Sequence, residues 1–174
     1  NFWGTGWATG NQIVRVTLDG MDVTVWEGPS STGATSHWYG MTADVDGHIW
    51  NCGSRAARFD IETETWTVSP ELDAYTGCMA DGDTGGLLWM ARFGGVIGVD
   101  RETFDIVRSW NTPDSYGISI DFYGNIWAVN GSGAHRVNPM TGTVDSYNGL
   151  TGAYTYSDMT GHALSVVGGG TPSG

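Results

Sequence analysis

The chain contains no lysine: its seven basic residues are all arginine, scattered at Arg15, Arg55, Arg58, Arg92, Arg101, Arg108 and Arg136, against 19 acidic residues. A net charge of −12 with no basic cluster repels a phosphate backbone, which makes nucleic acid a poor partner and disfavours docking to anionic lipid. Charge is scarce altogether, at 15% of residues where about 25% is usual. No apolar run approaches the ~18 residues of a membrane helix, and no sustained 3.6-residue apolar period appears. Membrane-spanning helices, coiled coils and helical bundles are excluded together. A Gly-x-Ser-x-Gly elbow, a phosphate-binding glycine loop and a His-Glu-x-x-His pair are all missing. Only two cysteines occur, and the spacing of Cys52 and Cys78 matches no zinc motif.

What is abundant is glycine, 28 of 174 residues, together with nine tryptophans. Turns and large buried anchors therefore dominate, as expected of one all-β domain. Three segments superpose. They are Tyr39-Gly40-Met41-Thr42-Ala43-Asp44-Val45-Asp46-Gly47-His48-Ile49-Trp50, then Thr76-Gly77-Cys78-Met79-Ala80-Asp81 with Gly85-Gly86-Leu87-Leu88-Trp89, then Tyr116-Gly117-Ile118-Ser119-Ile120-Asp121-Phe122-Tyr123-Gly124-Asn125-Ile126-Trp127. Trp50, Trp89 and Trp127 follow one another at 39 and 38 residues, and a partial copy runs from Tyr156 through Asp158 to Leu164. A period near forty built of strand-like units is the pattern of a β-propeller, each repeat being a four-stranded blade.

Within a repeat, a short inner strand ends at Asp44, Asp81, Asp121 or Asp158, and a glycine hairpin leads to the tryptophan-bearing second strand. A third and an outer strand follow, as in 135–138 and 143–147. Complete blades are predicted over 39–68, 77–109 and 116–147, with residues 1–26 supplying strands two to four of another blade and 154–167 the first two strands of a further one. Residues 1–167 are thus about four blades, either an arc of a larger propeller or a closed four-bladed ring. An arc leaves blade faces uncovered and implies remaining propeller blades or a covering partner. Residues 168–174 read as a flexible glycine-rich tail, and the start at Asn1 reads as a processed chain or a piece of a longer one.

The unit from Tyr116 to Val129, followed by Arg136-Val137-Asn138-Pro139-Met140-Thr141-Gly142, resembles the repeat of the streptogramin lyase (virginiamycin B lyase) propellers. The Asp-x-x-Gly-Asn-Ile-Trp style of hairpin is shared with NHL-repeat and gluconolactonase-like propellers. The resemblance implies a propeller fold and, as one activity, a C–O lyase assisted by magnesium. In the lyases glutamates commonly follow the tryptophan strand and a histidine precedes the inner-strand glycine. Here Asn51-Cys52, Met90-Ala91 and Ala128-Val129 follow the tryptophans, and Tyr39, Thr76 and Tyr116 precede the glycines.

Elimination chemistry needs a base and a cation that polarises the carbonyl. Of four histidines, His48 and His162 fall in equivalent hairpins and His135 starts a third strand, whereas His37 precedes an inner strand at the mouth. His37 is the one candidate base. The recurring aspartates are expected to accept hydrogen bonds from their turns rather than to hold a metal. Asp44-Val45-Asp46-Gly47 has the start of a calcium loop without its closing Glu. No residue set is therefore assigned to a metal, and magnesium or calcium enters only with these alternatives. The mouth segments bring His37, Trp38, Tyr39, Tyr75, Tyr116, Tyr154 and Tyr156 to one end of the blades, and aromatics with polar tips suit protein recognition. The expected function is an extracytoplasmic, secreted or periplasmic, propeller that binds a protein partner or scaffolds an assembly. Cys52 and Cys78 fall near the same mouth of adjacent blades, compatible with one disulfide or with two buried thiols.

Overall fold

The computed structural model describes residues 1–5, 11–29, 38–82 and 86–154. His37, Tyr156, Asp158, His162, the strands expected after Tyr154 and the tail at 168–174 lie outside the described residues. Among the described residues there are fifteen strands and no helix. Sheet 1 comprises β1 (Phe2–Thr5), β2 (Gln12–Val16) and β3 (Val23–Glu27). Sheet 2 runs β4 (Gly40–Ala43), β5 (His48–Cys52), β6 (Ala56–Asp60) and β7 (Thr65–Val68). Sheet 3 runs β8 (Cys78–Ala80), β9 (Leu87–Arg92), β10 (Gly95–Asp100) and β11 (Ile106–Asn111). Sheet 4 runs β12 (Gly117–Ile120), β13 (Ile126–Val129), β14 (Ala134–Val137) and β15 (Val144–Tyr147). Each is an antiparallel meander in sequence order, and the first strands β4, β8 and β12 neighbour one another, so the sheets radiate from a common centre. This is a β-propeller arrangement of four-stranded blades, with three strands of a further blade at the start of the chain.

The inner hairpins follow one chemical scheme. Asp44 Oδ1 accepts the backbone N–H groups of Asp46 and His48, at 3.0 and 2.9 Å. Asp121 Oδ1 accepts those of Tyr123 and Asn125, both at 2.9 Å. The expected turn role of these aspartates holds, with Gly47 and Gly124 at φ 90° and 78° completing the reversal. The same carboxylates also take the indole N–H of the tryptophan on the next strand: Asp44 from Trp50 at 2.8 Å, Asp81 from Trp89 at 2.7 Å and Asp121 from Trp127 at 2.8 Å. An indole removes ~150–250 Å² from water, but a buried N–H without an acceptor gives back about 1–3 kcal/mol. The aspartate keeps that gain whole.

Trp50 and Trp89, clamped in this way, are the wedges between blades. Trp50 packs with Leu88, Met90, Ile97 and Val99 between sheets 2 and 3, and its ring meets Phe104 edge-on at 6.0 Å. Trp89 lies between sheets 3 and 4 with Ile118, Ile120, Ile126 and Val137, stacked on Trp110 at 5.4 Å. Ile13, Ile49 and Phe59 join sheets 1 and 2, flanked by Trp3, Trp26 and Trp66. Among the described residues no buried cluster joins sheet 4 back to sheet 1.

The outer turns repeat as well. Asp60, Asp100 and Asn138 each accept two backbone N–H groups from the following turn, and four residues later the chain enters the left-handed region at Glu64 (φ 54°), Phe104 (φ 62°) and Gly142 (φ 74°). Cys52, at the end of β5, and Cys78, at the start of β8, form a disulfide with Cα atoms 6.1 Å apart. Of the two states compatible with the sequence, the bridge is the one the fold contains, and it ties sheet 2 to sheet 3.

Burial alone would raise the Asp44 carboxyl, but the Trp50 indole and the His48 N–H and imidazole outweigh it and hold the group below its ordinary value. Asp121 behaves alike, with burial opposed by Trp127 and Asn125. A group depressed on folding contributes stability above its unfolded pKa, about 4 for aspartate, and loses it as pH falls through the folded one. Urea unfolding is therefore expected to show a flat midpoint from neutrality to about pH 5 and a decline below about pH 4, shallower in Asp121→Asn. Reducing the disulfide, or the pair Cys52→Ala/Cys78→Ala, is expected to lower unfolding free energy by about 2–4 kcal/mol, read by urea titration with and without reductant.

Candidate functional site

The ends of the blades at which the inner strands begin carry the mouth. The backbone N–H of Tyr39 donates to the Cys52 carbonyl at 2.7 Å, that of Tyr75 to Ala91 at 2.9 Å, and that of Tyr116 to Val129 at 3.0 Å. Each tyrosine is thus anchored one or more residues ahead of its inner strand, by a bond to the second strand of its own blade. Thr76 adds a bond between blades, its hydroxyl donating to the Tyr116 carbonyl at 2.8 Å.

The rings gather into a continuous row. Tyr75 lies 4.2 Å from Phe93 and 5.8 Å from Tyr116, and Tyr116 lies 6.2 Å from Tyr154, measured between ring centroids. Tyr154 and Tyr39 meet through their hydroxyls. Tyr75 and Tyr116 are each 37% exposed, Tyr154 56% and Phe93 60%, so the row is held from below yet open to solvent. Such tilted ring pairs are worth roughly 0.5–1.5 kcal/mol beyond burial, enough to order the rings before any partner arrives. The rim carries the surface pairs Arg92–Asp73 at 3.6 Å and Arg55–Glu71 at 3.5 Å.

Of the residues expected here, Tyr39, Tyr75, Tyr116 and Tyr154 come together, and His37 and Tyr156 lie outside the described residues. Trp38 is buried at 2% exposure and donates its indole N–H to the Pro29 carbonyl at 3.1 Å. It braces the mouth from within and presents no ring to solvent. Phe93 is the member that sequence reading missed. Its signal is a large apolar residue in the tight turn Arg92-Phe93-Gly94, where nothing in the blade core requires one.

The two described histidines, His48 and His135, are committed elsewhere. His135 is buried, with Nδ1 2.9 Å from the Ser146 hydroxyl and Nε2 3.4 Å from the Asn130 amide, and burial pushes its imidazole below the ordinary value. His48 sits at the opposite end of its blade, 3.0 Å from Asp44. Where the sequence has the start of a calcium loop, the guanidinium of Arg101 lies 3.4 Å from Asp44 and 3.3 Å from Asp46. Among the described residues no three His, Cys, Asp or Glu side chains converge on one point.

No family model matches the chain, and no curated protein matches it in sequence. Solved structures do match in fold. The extracellular domain of the hybrid two component system BT4673 from B. thetaiotaomicron aligns with a TM-score of 0.60 and 13% identity, over 87% of this chain and 22% of that one. The extracellular domain of the hybrid two component system BT3049 aligns at 0.58 and 19% identity, over 82% and 21%. Hydrazine synthase of Kuenenia stuttgartiensis aligns at 0.55 and 16% identity, over 66% of this chain and 36% of that one. The chain thus spans about a fifth to a third of the length of these structures, and what it shares with them is the propeller fold.

Proposed function

We propose that the chain is part of an extracytoplasmic β-propeller that binds a protein partner through the tyrosine row at its mouth. The observation that carries this reading is the contiguous run Phe93, Tyr75, Tyr116, Tyr154 and Tyr39, half-exposed and pre-ordered by ring contacts. Tyrosine supplies broad contact area and a polar tip at small ordering cost, the composition of interface hot spots. The Cys52–Cys78 disulfide supports an oxidising compartment, and two of the aligned structures are extracellular domains. Sheet 4 ends the described series with Trp127 on a face that no described sheet covers, and sheet 1 exposes Phe2, Val23 and Val25. Both ends support a scaffold role in which further blades or a partner complete the assembly.

A second reading, a divalent-metal-dependent C–O lyase of the streptogramin lyase type, is favoured by the hairpin Asp121-Phe122-Tyr123-Gly124-Asn125-Ile126-Trp127 alone. Turnover of a cyclic depsipeptide that a chelator abolishes would establish it over the binding reading.

For the binding reading, immobilised chain is expected to retain a partner from the extracytoplasmic fraction of its source. Tyr75→Ala and Tyr116→Ala are each expected to weaken capture about 30-fold, equivalent to about 2 kcal/mol per hot-spot ring. Both variants keep the blade cores and should unfold in urea close to the parent midpoint. Capture unchanged in both would refute the mouth as the binding face.

A further inference from the structure

The opposite end of the blades, away from the tyrosine row, differs in chemistry from one junction to the next. At the base of each blade junction, the turn between the third and outer strands of one blade reaches towards the blade before it, and between sheets 2 and 3 and between sheets 3 and 4 it lies beside that blade's Asp–Trp clamp. In the junction of sheets 1 and 2 the residue after Asp60 is Ile61, which packs against the Ile13, Ile49 and Phe59 cluster. Between sheets 2 and 3 the equivalent residue after Asp100 is Arg101, 4% exposed, whose guanidinium faces Asp44 and Asp46 and donates from Nε to the Gly86 carbonyl at 2.7 Å. The next residue, Glu102, accepts from Arg58 at 2.6 Å. That junction is closed by two sets of opposite charges.

Between sheets 3 and 4 the same two positions are Pro139 and Met140. Neither carries charge, and the pyrrolidine ring cannot reach the clamp. A cleft of about 410 Å³ remains, lined by Asp81, Leu87, Trp89, Arg108, Asn125 and Met140 among others. Arg108 stands on the same sheet face as Trp89, one strand farther out than Arg58 stands from Trp50. Its guanidinium makes one hydrogen bond, to the Val107 carbonyl at 3.1 Å, and no carboxylate pairs with it among the described residues. Asp81 accepts the Trp89 indole and the Leu87 N–H and has no cationic partner among the described residues. The repeat thus keeps one anion and one cation at this junction while losing the arginine and the glutamate that neutralise their counterparts in the junction before.

We propose that this cleft is a binding site for a small zwitterion of amino-acid to dipeptide size. Its carboxylate pairs with Arg108, its ammonium with Asp81, and its side chain lies against Leu87 and Met140. The volume falls within the usual range for small-molecule sites, ~300–1,000 Å³, and a guanidinium suits a carboxylate through paired N–H donors.

The probes are free L-amino acids and the dipeptides Gly-Leu and Leu-Gly, titrated by calorimetry, beside versions acetylated at the amine or amidated at the carboxylate. At least one free zwitterion is expected to bind, with either blocked form at least tenfold weaker. Arg108→Ala is expected to weaken binding at least tenfold without moving the urea midpoint. The double variant Pro139→Arg/Met140→Glu rebuilds the pairs of the preceding junction, so it is expected to abolish binding while holding or raising the thermal midpoint. The proposal is overturned if no free zwitterion binds up to about 10 mM, if blocked forms bind equally well, or if the double variant binds like the parent.

Discussion

The structure depends on a carboxylate that accepts an indole N–H. A tryptophan can be driven into the space between two sheets only if its one polar atom is satisfied there, because an orphaned donor would return about 1–3 kcal/mol of the gain from burial. Asp44, Asp81 and Asp121 supply that acceptor, and Asp44 and Asp121 hold the backbone of the hairpin with the same group. One side chain therefore couples the local turn to the register of the second strand and to the contact between blades. Loss of the carboxylate would loosen all three at once, which is why a single residue type recurs where so much of the surrounding repeat varies.

On this common frame the three junctions diverge. The first is aromatic, with Trp3 stacked on Trp26 at 5.6 Å and Trp26 tilted against Phe59 at 5.4 Å. The second is ionic at one end and covalent at the other, with Arg101 against Asp44 and Asp46 and the disulfide near the mouth. The third is apolar around Trp89 and open at its base. The two ends of the blades separate in chemistry as well: exposed tyrosines at the mouth, charge and its absence at the base.

Most of the architecture was legible in the sequence because propeller blades are local. Each strand pairs with its neighbour in the chain, so Gly47 and Gly124 mark hairpins and Trp50, Trp89 and Trp127 mark second strands without knowledge of distant contacts. Tyr39, Tyr75 and Tyr116 were legible for the same reason, since each sits shortly ahead of an inner strand. What could not be read was set by contacts beyond strand pairing. The burial of Trp38 and the reach of Arg101 into the preceding blade depend on how far one sheet is rotated from the next, and Phe93 joins the row by packing a turn residue against Tyr75 within its own blade. The indole partner of each aspartate was within reach, for Asp44 and Trp50 keep the same offset as Asp121 and Trp127.

The bridge between Cys52 and Cys78 encloses β6 and β7, including the exposed turn at 61–64. A nick anywhere in that enclosed stretch leaves two pieces that remain one covalent molecule, with the outer half of the blade still tethered beside its own inner half. In a protease-rich environment that blade can be cut without being shed.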